Sequence, residues 1–535
     1  MNTLKSYLYI LLGLLFLVLV QFWFQETHTA SVDSTNTQVE PISASVKSSA
    51  VSLPDSESLV SISNDLLKAT IDLDGGKVVK TELSQYYKTI QRKMHQSILN
   101  YSEVFSYYAQ SGYLGDELLK FNVNHEKTTQ NKLFLEARSG AFLYTKTFEF
   151  GKDPYTIKQT NHVENIGALN QKVVPYSSFV SLHASDEKVM DAPKNFQPGA
   201  GVKESSGWFV LPTYSGVSYH TKETPYVKLP YTQIASDSGG ISLDDAGWFS
   251  VQQRYFLNAW VPQSIGSSVL NTQWLPADEN GLSRFSASML GMQYTLSSNE
   301  SLTVSETLYS GPELADVLAG IAPALNLTID YGWLWLLSEV IFKVLNFIHD
   351  AFNNWGLAII LTTALIKLIF YKMSEKGFVA SLKMKALQPR IKDIQERFKD
   401  DAAQKSQAIM ALYKQEGVNP MGGCLPILIQ FPFLIALYWV LVESVQLRHA
   451  SFLWIPDLSS YDPYYILPLI MGLGLFFQQK LTPTNLDPAQ EQAMMIMPVM
   501  MTFIFCQFPA GLALYMLTNA VLSALQQWYL TKKHS

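Results

Sequence analysis

The run Trp355-Gly-Leu-Ala-Ile-Ile-Leu-Thr-Thr-Ala-Leu-Ile-Lys367-Leu-Ile-Phe-Tyr371 decides the fold class. Only Thr362, Thr363 and Lys367 interrupt its apolar side chains, so it is greasy on every side rather than along one stripe. A soluble helix keeps a polar face; a run of this texture belongs in hydrocarbon. Others flank it. Ser6–Phe24 is a stretch of 19 nearly uncharged residues, long enough to cross a bilayer at about 1.5 Å per residue. Leu425–Val442 carries Gln430 inside it, and Tyr464–Phe477 is a shorter run. Met494–Leu530 has 37 residues, too many for one span of about 20. Phe508-Pro-Ala-Gly interrupts it near the middle, which predicts a tight hairpin of two spans. The expected count is six spans.

Ser6–Phe24 has an alternative reading as a cleaved signal peptide. Its length and the aromatic edge Gln21-Phe-Trp-Phe-Gln25 favour an uncleaved anchor over residues 1–25. Residues 26–57 are rich in Ser, Thr, Val and Asn and read as a flexible linker. From Leu59 to Leu308 short alternating segments such as Phe142-Leu-Tyr-Thr-Lys-Thr-Phe-Glu-Phe are separated by turn signals such as Asp74-Gly-Gly. That texture predicts one large antiparallel β-domain over residues 58–320. An amphipathic helix is expected over 330–350, with Leu334, Leu337, Ile341, Val344 and Ile348 on one stripe. It lies in the membrane interface or packs on the β-domain. The remaining spans are expected at 352–373, 424–443, 464–479, 494–508 and 510–530, with a tail at 531–535.

Charge divides along the same lines. Of 535 residues, 48% are hydrophobic and only 16% charged, against roughly 25% charged in soluble proteins. Gln25–Ala351 has a net charge of −11, while Lys372–Pro420 carries ten Lys and Arg against six Asp and Glu. The positive-inside rule then puts both termini and the basic loop in the cytoplasm and the acidic domain outside, in a bacterial periplasm. The basic loop, 374–418, reads as a helical hairpin. One helix covers Ser374–Lys399 and a second Ala402–Glu416, with Asp400-Asp401 between them. Its charge suits acidic lipid head groups or ribosomal RNA, and a plain solvated connector is the simpler alternative.

No catalytic signature is present. The sequence has no GxxxxGK[ST], GxGxxG, GxSxG or HExxH, and its two cysteines, Cys424 and Cys506, have no metal-ligand spacing. No cofactor or metal is expected, and no DNA. Lys367 is the unusual residue, because a cation at the bilayer centre costs roughly 2.5–3.5 kcal/mol on insertion scales. It either snorkels to the interface or faces a wet recess. Thr363 one turn earlier, Gln430, Thr518, Asn519 and Ser523 are further polar positions in apolar surroundings, and they favour the recess. The clustered Met494, Met495, Met497, Met500 and Met501 suit varied apolar partners or plain lipid contact.

Several stretches together resemble the YidC/Oxa/Alb membrane protein insertases. These are Asn353-Asn-Trp-Gly, Met410-Ala-Leu-Tyr-Lys, Val418-Asn-Pro-Met-Gly-Gly-Cys-Leu-Pro-Ile-Leu-Ile-Gln-Phe-Pro, Asp462-Pro-Tyr-Tyr-Ile-Leu-Pro and Phe508-Pro-Ala-Gly-Leu-Ala-Leu-Tyr. The anchor and the large outer domain match the Gram-negative form. The resemblance implies a polytopic α-helical membrane protein, six spans with a five-helix insertase core, and a periplasmic all-β supersandwich. It also implies a hydrophilic groove open to cytoplasm and lipid. Lys367 stands where the family usually has Arg, keeping the charge but losing the planar fork. Thr363, Gln430, Phe431, Pro432 and Tyr515 match groove positions, Asn519 joins them as a polar position of the last span, and the charge of the hairpin marks Lys383, Lys385 and Arg390 for contact with ribosome, targeting receptor or lipid. The implied function is insertion of nascent membrane proteins into the inner membrane without nucleotide hydrolysis. The implied partners are nascent membrane proteins, the Sec translocon, the ribosome, the signal-recognition-particle receptor and the bilayer. Two rivals remain on the residues alone: a transporter or channel using Lys367, and a periplasmic carbohydrate-active or carbohydrate-binding domain on a membrane anchor.

Overall fold

The computed structural model describes residues 54–102, 105–184, 214–236, 239–263, 266–275, 282–398, 401–417, 425–481 and 488–534. The expected anchor (1–25), nearly all of the linker and the Val418–Cys424 part of the sequence motif lie outside the described residues. The chain divides into a β unit ending at Ile329 and a helical unit from Asp330.

The expected β-domain has two large antiparallel sheets, ten-stranded and nine-stranded among the described residues, and a two-stranded pair of Gln171–Val173 with Tyr294–Leu296. The first places Lys77–Tyr87, Phe105–Tyr113 and Pro175–Ala184 at its centre; the second runs through Phe256–Pro262, Ser301–Pro312, Thr156–Asn165 and Phe142–Phe150. Side chains alternate between faces along a strand, and Phe142–Phe150 and Thr156–Asn165 bury every second residue accordingly. The inner faces interlock. Trp260 Nε1 donates across to the Ser178 carbonyl at 3.1 Å, and Phe179 packs edge-on to Phe249.

Buried polar groups also cross between the sheets. Lys146 and Asp116, each 1% exposed at the side chain, pair at 3.1 Å. Lys146 Nζ also donates to the carbonyls of Gly75 and Ser111, both at 2.9 Å. The Asp74-Gly-Gly turn makes that contact possible: Gly75 sits at φ +85°, and a Cβ there would lie 2.8 Å from the Glu117 carbonyl. Ser111 Oγ donates to Glu306 at 2.6 Å and accepts from Asn161 at 2.8 Å.

Glu306 has no cation partner among the described residues. Burial pushes its carboxyl up to about 7 from 4.5, although hydrogen bonds from Ser111 and Ser177 pull the other way. The fold therefore holds this proton more tightly than the unfolded chain does. The contribution of Glu306 to stability is greatest at and below pH 4.5 and is lost as pH rises through about 7, about 3 kcal/mol in total. Limited proteolysis of the sandwich in the full-length protein is expected to speed up between pH 5 and pH 7.5, and Glu306→Gln is expected to flatten that rise. An identical pH slope in both proteins would refute the assignment.

The helical unit contains α1 (Trp335–Phe352), α2 (Trp355–Ile369), α3 (Tyr371–Ala386), α4 (Gln388–Arg397), α5 (Ala402–Gln415), α6 (Leu425–Glu443), α7 (Ile466–Leu481), α8 (Pro488–Phe505) and α9 (Ala510–His534). The Asn353-Asn pair splits α1 from α2. Asn353 takes the left-handed conformation that ends α1, and the Asn354 side chain accepts from Leu357 N to start α2. Phe508-Pro-Ala-Gly turns α8 into α9, where the Ala510 and Gly511 amides donate to the Ser460 and Leu458 carbonyls.

Two expectations are revised. Ser374–Lys399 is not one helix: the chain breaks at Leu387, because Pro389 occupies the first turn of α4 and supplies no amide hydrogen. Leu387, Ile391 and Leu412 then close the hairpin between α4 and α5. The stripe on α1 is also rotated: Ser338, Ile341 and Leu345 are buried, and Ser338 Oγ donates to the Ala436 carbonyl of α6. Trp335, Leu336, Val340 and Phe347 are exposed. Among the described residues no single helix is long and apolar enough to cross a membrane. Trp355–Ile369 with Tyr371–Met384 would suffice together, but the pair is bent by 64°.

Candidate functional site

The helical unit brings two sequence-distant segments onto Lys367. Its ammonium, in the last turn of α2, donates to Ser523 Oγ of α9 at 2.7 Å and to Gln430 Oε1 of α6 at 3.4 Å. Both acceptors are themselves oriented. Ser523 Oγ donates its own proton to the Asn519 carbonyl at 2.6 Å, so only lone pairs face the lysine. Gln430 donates its amide to the Asn519 side-chain oxygen, which leaves its carbonyl oxygen toward Lys367. Asn519 thus organises both partners, and no carboxylate among the described residues is paired with Lys367. An ammonium has three N–H groups; two are used here and one is left for a ligand.

Helical spacing explains the stripe. Tyr515, Asn519 and Ser523 recur every four residues on α9, and Thr363 precedes Lys367 by the same interval on α2. Tyr515 is 1% exposed and Thr363 is buried, its hydroxyl donating to the Ile359 carbonyl at 2.6 Å. Thr518 likewise donates to the Leu514 carbonyl at 2.8 Å. Phe431 is 43% exposed beside Gln430, and Pro432 lies within α6. Ser523 was legible as a polar position in an apolar run, but nothing in the sequence set it closest to the charge.

In the hairpin, Lys383 on α3 and Arg390 on α4 are exposed, Lys385 follows Lys383 in α3, and Arg390 pairs with Glu416 beyond the end of α5. No cluster of His, Cys, Asp or Glu among the described residues is arranged to hold a metal.

Residues 59–344 match the family model of the YidC periplasmic domain, and 347–535 match that of the 60Kd inner membrane protein. The chain is 36% identical to the membrane protein insertase YidC of Hahella chejuensis over 524 residues, covering 95% of this chain and 88% of that one. It is 38% identical to the namesake of Coxiella burnetii strain RSA 331 over 495 residues, covering 89% and 83%. A crystal structure of an active YidC insertase with its first transmembrane domain resolved aligns over 90% of this chain and 94% of its own, at 18% identity and a TM-score of 0.40.

Proposed function

Because the chain belongs to the YidC family of membrane protein insertases, inner-membrane proteins with a periplasmic domain, we propose that Lys367 and its neutral cradle are where a client's polar flank is received. The function itself, membrane protein insertion, is that of the relatives; the route is our reading. The observation that carries it is a cation held by Ser523 and Gln430, with no carboxylate among the described residues paired to it. The remaining N–H and the net positive charge can offset desolvation of an Asp or Glu in the entering flank. Thr363, Phe431, Pro432, Tyr515 and Asn519 complete the recess. The apolar segment then passes into lipid, driven by roughly 0.8 kcal/mol per buried CH₂. No covalent step or nucleotide is needed, and the relatives named as insertases favour neither the channel nor the carbohydrate alternative.

The proposed topology is six spans, with the N-terminal anchor, α2, α6, α7, α8 and α9 in the bilayer and both termini cytoplasmic. The exposed Trp335, Leu336, Val340 and Phe347 suit α1 to the interface. Photoreactive residues at Phe431 and Asn519 are expected to crosslink to the polar flank of a stalled ribosome-bound client, while one at Ile166 on the sandwich does not. Equal crosslinking at all three positions would sink the recess.

The hairpin of α3, α4 and α5 is proposed to meet the ribosome, the signal-recognition-particle receptor or lipid, with the Sec translocon a further partner. Reversing Lys383, Lys385 and Arg390 to Glu is expected to slow insertion several-fold and to flatten its salt dependence. Helix content should hold, since the exposed Arg390–Glu416 pair contributes about 0–1 kcal/mol. Unchanged rate and salt response would make the hairpin a plain connector.

A further inference from the structure

The β unit carries a basic, apolar tip that plays no part in the recess around Lys367. Between the strands Lys77–Tyr87 and His95–Ser97 the chain reads Lys88-Thr-Ile-Gln-Arg-Lys-Met94. No Asp or Glu occurs between Glu82 and Glu103, although Gln25–Ala351 has a net charge of −11. The tip is a formed turn: Lys88 N donates to the Met94 carbonyl at 2.9 Å and Arg92 N to that of Thr89 at 3.0 Å. Its base is an aromatic stack of Tyr87 on His95, ring centres 4.9 Å apart, with the Arg92 guanidinium 5.9 Å above the Tyr87 ring. Beyond that base Ile90 is 47% and Met94 57% exposed, flanked by the exposed Arg92 and Lys93. No carboxylate among the described residues pairs with Arg92 or Lys93.

The tip's place in the sandwich is fixed by its neighbours. Tyr86 packs edge-on to Phe256 at 5.9 Å, and Phe256 pairs with Pro312, the last residue of the strand Ser301–Pro312. Thr81 and Ser310 share a hydrogen bond at 2.7 Å one turn of pleat below. The tip therefore stands at the end of the sandwich where the strand Ser301–Pro312 finishes.

We propose that Lys88–Met94 docks on the outer leaflet of the inner membrane, with Arg92 and Lys93 on anionic phospholipid head groups and Ile90 and Met94 at the acyl boundary. Basic residues that flank exposed aliphatic ones match a surface that is anionic outside and apolar beneath. A soluble acidic protein would satisfy the charges but gives no role to two protruding aliphatic side chains at this end of the domain. The docking rests on the inner-membrane location of the family and is independent of the recess around Lys367.

The test uses full-length protein with Cys424→Ser, Cys506→Ala and Gln91→Cys, the new thiol carrying an environment-sensitive fluorophore. It is reconstituted in vesicles of phosphatidylglycerol and phosphatidylethanolamine, or of phosphatidylcholine alone, each with brominated acyl chains. The bromolipid is expected to quench the label at least about twofold more in the anionic vesicles. Raising salt from about 0.1 to about 1 M should remove that difference, because the screening length drops from about 10 to about 3 Å. Arg92→Glu with Lys93→Glu should bring quenching to the phosphatidylcholine level, and Arg92→Lys should retain it. Ile90→Ser with Met94→Ser, which keeps the charges, should also reduce it. Bromolipid quenching that is absent, or equal in both lipids and insensitive to salt, overturns the proposal. Shielding of the label from aqueous iodide without bromolipid contact overturns it in favour of a protein surface.

Discussion

Lys367→Glu is expected to abolish insertion of clients whose translocated flank carries Asp or Glu, while Lys367→Arg retains it. The order follows from sign. The cradle of Ser523 and Gln430 offers only acceptor atoms to the ammonium, so removing the ammonium leaves oriented lone pairs facing an incoming carboxylate. Two unit charges about 4 Å apart interact by roughly 4 kcal/mol at the effective dielectric of a partly exposed site, and less once screened. Lys367→Ala should therefore lower insertion of acidic-flank clients about tenfold and leave neutral-flank clients within about twofold. The Glu variant reverses the interaction and should fall about a hundredfold or more. If Lys367 merely snorkels, all three variants should be mild and indifferent to the client, because Lys372 and Lys376 still anchor that end. Protease protection of matched acidic and neutral clients, in cells depleted of the native protein, separates the two. Equal, wild-type insertion of both clients by the Ala variant would end the role assigned to Lys367.

Lys146→Ala is expected to be the most damaging single change in the sandwich, at about 3–5 kcal/mol. It strands Asp116, which is 0% exposed and, among the described residues, keeps the Tyr113 amide and the Tyr176 hydroxyl as donors. It also orphans the Gly75 carbonyl and opens a void beside Phe121, over whose ring the ammonium sits at 5.0 Å. A domain of this size loses roughly 2–4 °C per kcal/mol, so its melting point should drop by about 10 °C. Asp116→Asn in the same chain should recover much of the loss, since the stranded charge rather than the lost attraction carries most of the damage. A drop under about 1 kcal/mol for Lys146→Ala, followed by resistance of the sandwich to heat and protease, would show that the pair is dispensable. Insertion at permissive temperature tests the other unit and should stay unchanged.

How far each of these sites was legible depends on whether its signal is local. Lys367 stands out in sequence because a charge in an apolar run is anomalous wherever the run folds. Asn353-Asn is legible for the same reason: one residue ends a helix and the next caps the following one, both by contacts within a few residues. The contact between Lys367 and Ser523 is not local. It joins positions 156 residues apart, and Thr518 has an equally good claim in the sequence. The break at Leu387 is hard to read although Pro389 announces it, because the apolar spacing of Leu387, Ile391 and Ile394 runs through the break unaltered.

The sequence by itself determined the division into an acidic β-domain and an apolar helical region, the periodicity of their elements, the turns and caps, and the family. Each depends on hydrophobic burial or on hydrogen bonds within a few residues, and those are written in composition and spacing. Only the tertiary structure decided which polar groups meet. Lys146 could have paired with any of the many carboxylates of its domain, and the packing of the two sheets and the turn after Phe105–Tyr113 selected Asp116, while Glu306 was left with hydroxyl partners and a carboxyl that burial pushes up to about 7. The same holds around Lys367, where the packing of α2, α6 and α9 chose Ser523 and Gln430. A buried charge must find a partner, but which partner depends on ångström-scale distances between segments that are remote in sequence, and no local pattern encodes those distances.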